Sequence, residues 1–569
     1  MIKVSVVKLK PMPIGVEEFD DMIFNDYYYV DKTLLVKDLL DRKGKVNLFT
    51  RPRRFGKSLN ISMLQHFFDN LLAEKSFIFD GLHISKEDAT YLSHQNSYPV
   101  IKLELKDVEA ADFEEAMEML VIELSYEFRR HDHLLKSERI DEDEKAIYKR
   151  FLSRKASRSE LRTSLEFLST CLERHYDKKV IILIDEYDVP LEKAYFSGYY
   201  DEMIQFIRGF FSSAFKTNRN IQFAVLTGCL RVSKESIFTG LNNLNIVSIL
   251  NDGFGEYYGF TEAEVSEMLT YYGLEGKHDD MRDWYNGYLF GETTVYNPWS
   301  VIKYLYDVIY NKMKFPSPHW SNTSSNSIIR DLIAISDHQV KEEIEQLIIG
   351  KALTKPIMED IVYADITKTM DHLWSFLFFT GYLKKVSKKQ IGVQNYLELT
   401  IPNKEILYIY QRHIIEWFDE QVKTTDLKPL YHAILNGNAK TFQHELTEML
   451  ASTISYFDSK EAFYHGFLVA VTSTMEGYAT KSNRESGDGR ADLFIRPTSI
   501  RKPAIIIEVK VANVAKDLEE ACDAALVQIE EKNDAAELVN EGYTTIIKYG
   551  IAFYRKDCEI KLSARSEMA

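Results

Sequence analysis

The sequence holds only four cysteines, Cys171, Cys229, Cys522 and Cys558, and no two of them form a C-x-x-C pair. That scatter excludes a disulfide framework and a zinc knuckle and predicts reduced thiols. The N-terminus, MIKVSVVKLKPMP, lacks the continuous apolar core of an export signal. The most apolar run, LWSFLFFTGYL at 373–383, is about half of the roughly 20 residues a spanning helix needs, so it predicts a buried core helix. Positive charge is not in excess either: the formal net charge is -16. This excludes a surface coated in Lys and Arg for indiscriminate nucleic-acid binding and leaves room only for local basic grooves. Low-complexity tracts and internal repeats are also missing, which excludes disordered and solenoid architectures. The expectation is a cytoplasmic protein with no membrane partner.

Hydrophobic residues at 45% and aromatics at 13% supply material for several cores, and 569 residues exceed what one core usually organises. Around residues 46–72 a short apolar strand (VNLFT) leads into a basic, Gly-containing turn (RPRRFGKS) and then a helix-like run with apolar 3-4 spacing. YPVIKLEL at 98–105 is a second strand candidate. A third, VIILIDEYD from Val180, opens with five aliphatic residues, as a strand buried on both faces of a parallel sheet does, and ends in acids. IQFAVLTG from Ile221 continues the alternation that defines a layered α/β domain. Residues 1–290 are therefore expected as an α/β domain with a parallel sheet, 291–430 as a mostly helical linking domain with a strand-like YLELTI before Pro402, and 431–569 as a smaller mixed α/β domain.

The turn at 51–58 meets the phosphate-loop pattern G-x-x-x-x-G-K-[ST] at Gly56, Lys57 and Ser58, with Arg51 where the first glycine stands. Gly56 lets the backbone turn closely around a phosphate, and the amides opening the next helix face it with the favourable end of the helix dipole. Lys57 is placed to reach the β- and γ-phosphates of ATP and Ser58 to ligate Mg²⁺. Arg51, Arg53 and Arg54 add positive charge, Pro52 stiffens the turn, and Phe55 and Leu59 complete the candidate nucleotide-binding stretch. The bland alternative is a solvated basic turn before an ordinary helix. Against it stand Asp185, placed to hold Mg²⁺ through water, and Glu186, placed to orient and polarise the attacking water; their own alternative is a helix cap. Thr227, on the strand after the acidic one, is the candidate γ-phosphate sensor. Arg231 either acts on the transferring phosphate or pairs with an acid.

In the last part, Asp492 lies in RADLFIRP, and sixteen residues later Glu508 and Lys510 share one face of AIIIEVK. Two carboxylates on adjacent apolar strands can supply hard oxygen ligands to one Mg²⁺ or Mn²⁺, with Lys510 steadying the attacking hydroxide. Glu485, in the Gly- and charge-rich NRESGDGR, is a further candidate near the metal, and Gln528 on the following helix is placed to contact substrate or water. The alternative is a surface cross-strand pair and a turn.

The RPRRFGKS turn, the IDEYD strand end, LTGCLRVSKESIFTGLNN, the GRAD and EVK pair, and IGVEEFDDMIFNDYYYVDKT at 14–33 together resemble prokaryotic AAA-ATPase-like proteins with a C-terminal PD-(D/E)XK nuclease-superfamily domain. The resemblance implies a P-loop NTPase-like front sheet and a restriction-endonuclease-like rear fold. It implies nucleotide binding by Gly56, Lys57 and Ser58, metal and water handling by Asp185 and Glu186, and a nuclease core of Asp492, Glu508 and Lys510. The family carries Arg at the Arg51 position too, and Ala491 replaces the Pro of the superfamily name. The implied function is an ATP-binding, ATP-hydrolysing protein coupled to a metal-dependent phosphodiesterase acting on nucleic acid, DNA ahead of RNA, with a homo-oligomer as an expected partner state. The alternative is a nucleotide-dependent switch or scaffold whose nuclease-like domain binds nucleic acid or a partner without cutting.

Overall fold

Strands whose residues are apolar throughout need cover on both faces, and helices packed on a parallel sheet provide it. β1 (Val46–Thr50) and β3 (Val180–Asp185) are buried along their whole length. Each fully buried Val, Leu or Ile there contributes about 1.5–3 kcal/mol to folding. The computed structural model describes residues 9–569 except 217, 232–236, 239–242, 314, 321–337, 349, 360, 362, 367–368, 393, 411, 413–425, 454–460, 474, 483–491, 533–534, 564–565 and 568–569. In it, β1 and β3 flank β4 (Ile221–Gly228), with β2 (Val100–Glu104) and β5 (Leu244–Val247) outside them, in the order β2-β3-β4-β1-β5. All four pairings are parallel. The carboxyl ends of all five strands therefore open on one edge, where ligands of open α/β sheets bind. Thr227, near the end of β4, is paired with Phe49 of β1, and Asp185 closes β3 on the other side of β4.

The middle of the chain carries helices, a hairpin of β6 (Tyr288–Phe290) and β7 (Thr293–Val295), and a three-stranded antiparallel sheet. That sheet has the order β8-β10-β9, built from β8 (Leu353–Pro356), β9 (Lys384–Ile391) and β10 (Gln394–Thr400). β10 contains the YLELT of the strand-like stretch. The apolar run at 373–383 lies mostly in the helix Met370–Phe379, whose residues Leu373 to Phe379 are all buried, as expected of a core helix.

The rear sheet runs β11-β12-β13-β14-β15, with β16 (Ser566–Glu567) paired to β14. Its strands are β11 (Tyr478–Ser482), β12 (Leu493–Pro497), β13 (Ala504–Val511), β14 (Thr545–Tyr554) and β15 (Asp557–Leu562). β13 and β14 are parallel and the other pairs antiparallel, so the sheet is mixed. A parallel pair needs a crossover, and the helix Leu518–Glu531 supplies it. Alternation divides the sheet's faces. Leu493, Ile495, Ile505, Ile507 and Val509 join Tyr464, Phe467, Leu468 and Val471 of the helix Glu461–Ser473 in one cluster. Phe494, Ala504 and Ile506 join Ile529 and Leu538 in another. Glu508 and Lys510 have the parity of the second face, the one the crossover helix covers.

The chain forms two compact units, one of Met1–Thr323 with Ala352–Tyr408, the other of Ser324–Lys351 with Ile409–Ala569. Residues 291–430 thus contribute to both.

Candidate functional sites

In the front unit the turn after β1 leads directly into the helix Lys57–Phe68. Gly56 makes the turn possible: its φ is +79° and a Cβ there would meet nothing within 4 Å, so the backbone is bent for glycine and open above. Lys57 is buried. Its Nζ lies 3.4 Å and 3.3 Å from the carbonyl oxygens of Arg51 and Pro52 and 3.2 Å from Glu186 Oε1. Burial pulls the ammonium's pKa down, but Cys229, Glu186, Asp185 and Asp188 together hold it above the ordinary lysine value. Lys57 is therefore charged and already aimed along the turn.

Asp185 is buried and its Oδ1 accepts from the Thr227 hydroxyl and, at 3.0 Å, from the Glu186 amide. Burial first and then Glu186 raise its carboxyl pKa, opposed by hydrogen bonds from Ser58 and Thr227 and by the charge of Lys57. The structure thus brings Lys57, Ser58, Asp185, Glu186 and Thr227 together at the strand ends. Glu186 holds a left-handed backbone, φ 52°, a conformation that costs a non-glycine residue about 1–2 kcal/mol and turns the chain sharply off β3. The donor set suits Mg²⁺, which takes one or two protein oxygens and leaves the rest to water and phosphate: the Ser58 hydroxyl and the Asp185 carboxylate already face each other.

The arginines of the turn divide. The Arg51 guanidinium is fully buried between the rings of Tyr258 and Phe290, at 5.2 and 5.1 Å, and donates to the carbonyls of Thr50 and Val247 at 2.9 and 2.8 Å. Burial lowers its pKa to about 10. Arg51 in this structure pins β1 to β5. Arg53 pairs with Glu192 at 2.6 Å, and Arg54 stacks on Trp299 at 4.2 Å. Phe55 is buried against Tyr288 and Phe290, and Leu59 follows Ser58 in the first turn of the helix. Arg231 pairs with Glu359 at 3.2 Å.

Asp188 has a larger part than its ambiguous place in IDEYD suggests. It occupies the N-cap position of the helix Val189–Ser197 without a side-chain cap bond, is buried, and its Oδ2 instead accepts from the amides of Cys229 and Leu230 at 3.0 and 2.8 Å. It thereby fastens the loop that leaves β4 just after Thr227. Burial, with Glu186 and Glu192 nearby, pushes its pKa up to about 7. The sequence signal was the third acid of a strand end, at the position where a helix cap is expected.

In the rear unit Leu493 pairs with Ile507 across antiparallel strands, which sets Asp492 opposite Glu508. The Asp492 amide donates to Glu508 Oε2 at 3.2 Å, and Asp492 Oδ2 accepts from the Val509 amide at 2.8 Å. Glu508 is 1% exposed. Its Oε1 accepts from Lys510 Nζ at 3.3 Å and from the Gln528 amide. Burial and then Asp492 raise the Glu508 pKa to about 7, against the pull of Lys510 and Lys532. All four expected residues, Asp492, Glu508, Lys510 and Gln528, converge. A fifth was missed: Lys532 Nζ stands 3.8 Å from Glu508 Oε1, four residues after Gln528 on the same helical face, a spacing that could have found it. His465 reaches the Asp492 carbonyl at 3.1 Å. Glu485 and Ala491 lie outside the described residues. Among the described residues no three His, Cys, Asp or Glu side chains gather as metal ligands. Two carboxylates with water and phosphate completing the shell fit Mg²⁺ or Mn²⁺, and no softer metal.

Residues 13–238 match the model of a family described as "Predicted AAA-ATPase", and residues 459–562 match that of the PD-(D/E)XK nuclease superfamily. The front is AAA-ATPase-like, and the rear is a PD-(D/E)XK nuclease-superfamily domain. A curated relative, "Uncharacterized protein in vnfD 5'region" of Azotobacter chroococcum mcd 1, is 26% identical over 470 residues, covering 81% of this chain and 82% of the relative. The AAA-ATPase-like span contains every front-site residue from Arg51 to Arg231, and the nuclease-superfamily span contains Asp492, Glu508, Lys510, Gln528 and Lys532. Among the described residues no helix is long and apolar enough to cross a membrane.

Proposed function

We propose that the protein binds and hydrolyses ATP with Mg²⁺ at the 51–58 turn and cleaves nucleic acid, DNA ahead of RNA, at a Mg²⁺ or Mn²⁺ site formed by Asp492 and Glu508. The observation that carries this is the convergence of Asp492, Glu508 and Lys510, from one strand pair, with Gln528 of the crossover helix inside a nuclease-superfamily span. A bound divalent ion would acidify water and neutralise charge on the scissile phosphate. Asp492 and Glu508 would hold it, Lys510 would release Glu508 to steady the attacking hydroxide, and Gln528 would orient water or phosphate. In the front unit Lys57 would leave Glu186 for the phosphates, freeing Glu186 to orient the attacking water. The ATP state of the front would then govern cutting at the rear.

The full chain, incubated with Mg²⁺ or Mn²⁺ and end-labelled DNA or RNA with and without ATP, tests this beside an Asp492→Ala variant. Metal-dependent cleavage lost in the variant is expected; cleavage that persists in it sinks the site assignment. A second reading, a nucleotide-dependent switch that binds nucleic acid without cutting, is favoured by the crowding of Lys510, Lys532 and Gln528 on Glu508. It predicts retained binding with no product at any metal concentration.

A further inference from the structure

Tyr363 stands on a short turn, Tyr363–Asp365, well beyond residues 13–238, yet it reaches the phosphate turn's charged neighbours. Its hydroxyl lies 3.2 Å from Glu192 Oε2 and 3.3 Å from Asp188 Oδ2, and the residue is 1% exposed. A phenol has one proton to donate, so Tyr363 shares it between two carboxylates one helical turn apart. Those carboxylates hold different partners. Glu192 holds Arg53 of the turn, Nη2 lying 2.6 and 2.7 Å from its two oxygens. Asp188 holds the amides of Cys229 and Leu230, which follow Gly228 at the end of β4.

We propose that Tyr363 is a positioning residue of the nucleotide site, loosening the grip of Glu192 on Arg53 while steadying, through Asp188, the loop behind Thr227. This rests on reading the turn as an ATP site. A phosphate arriving there competes with Glu192 for Arg53. Each further donor to Glu192 spreads the carboxylate's charge and weakens its hold on the guanidinium. Without the phenol proton, Glu192 also faces Asp188 with Arg53 as its remaining neutralising partner, so Arg53 is held more firmly and the phosphate gains less from it. Tyr363 acts without touching the nucleotide.

Equilibrium binding of ATP with Mg²⁺ to the full chain, by calorimetry, tests this on wild type, Tyr363→Phe, Glu192→Gln and the double variant. Tyr363→Phe is expected to weaken ATP binding about five- to tenfold, and Glu192→Gln, which frees Arg53, to tighten it. In the Glu192→Gln background the Tyr363→Phe change should weaken affinity by clearly less than in wild type, because the grip it tunes is gone and only its contact with Asp188 remains. A purely structural Tyr363 would lower the melting temperature without that dependence on Glu192. Equal weakening in both backgrounds, or none in either, overturns the proposal while the ATP reading stands, provided Lys57→Ala binds less tightly than wild type. If Lys57→Ala binds as well as wild type, both fall together. Should Tyr363→Phe not fold, Glu192→Gln decides alone, and unchanged or weaker ATP binding in it overturns the proposal.

Discussion

If Asp492 and Glu508 hold Mg²⁺ or Mn²⁺ as proposed, lowering the pH from 8 to 6 should weaken that binding about tenfold. Burial beside Asp492 raises the Glu508 carboxyl from 4.5 to about 7. A carboxylate must be ionised to bind Mg²⁺ or Mn²⁺. With its midpoint at about 7, Glu508 is about nine-tenths ionised at pH 8 and about one-tenth at pH 6, so the apparent affinity falls about tenfold. An ordinary glutamate would change by only about 3% over the same range, so the two cases are easily told apart. The sign is fixed as well: a raised pKa means the native site takes up the proton as pH falls through 7, and the proton displaces the metal. Calorimetric titration of Mn²⁺ into the full chain at pH 6, 7 and 8 reads the affinity, and repetition in buffers of different ionisation enthalpy counts released protons, about half a proton at pH 7. Lys510 and Lys532 oppose the rise, so Lys532→Ala should move the loss of metal to still higher pH. A flat affinity between pH 6 and 8 refutes the argument.

Lys57→Ala should weaken ATP binding, whereas Glu186→Gln should keep binding and slow phosphate release, because orienting the attacking water matters only during reaction; filter binding and a phosphate assay read the two. Glu405 is fully buried, accepts from Ser300 and from the Trp320 amide, and has its pKa raised to about 7, by burial above all. The native state keeps its proton where the unfolded chain loses it, so stability falls as pH rises from about 4.5 to 7. Glu405→Gln should therefore stabilise the front unit by up to about 3 kcal/mol at pH 8 and hardly at pH 4, measured by hydrogen exchange of the helix Pro298–Tyr310; equal gains at both pH values would contradict this. A Cβ on Gly228 would fall 2.4 Å from Asp188 Oδ1 and 2.6 Å from the Tyr187 ring, so Gly228→Ala should cost about 1–3 kcal/mol and weaken ATP binding; a thermal melt matching wild type would show that the ring and carboxylate can give way.

What local pattern encodes was legible. The five aliphatics before Asp185, the apolar run at 373–383 and the alternation around Glu508 each declared a buried strand or helix, because burial and period are properties of neighbours in sequence. The Lys57, Asp185 and Thr227 grouping lies where two strand ends meet the turn, and the Asp492, Glu508 and Lys510 grouping lies on neighbouring strands with Gln528 on the crossover helix; both were readable from residue types and spacing. Partners chosen across long sequence distances were not. Tyr258 and Phe290 enclose Arg51, Tyr363 reaches Asp188, and Glu405 reaches Ser300 across about a hundred residues. No periodicity records which of 34 tyrosines meets which acid; only the closed fold does.

The path of the chain between its two units carries a consequence for taking the protein apart. It leaves the first unit for Ser324–Lys351, returns for Ala352–Tyr408, and leaves again for Ile409–Ala569, so three peptide connections join the two. No single cut yields two intact halves. A fragment starting at Ile409 forfeits the helix His338–Ile348, whose Val340, Ile344 and Leu347 are buried, and one ending at Tyr408 carries that apolar face without the unit it belongs to. The unit that carries the nuclease-superfamily span can therefore be neither removed nor kept whole by a single truncation. The two units are tied together by the thread itself.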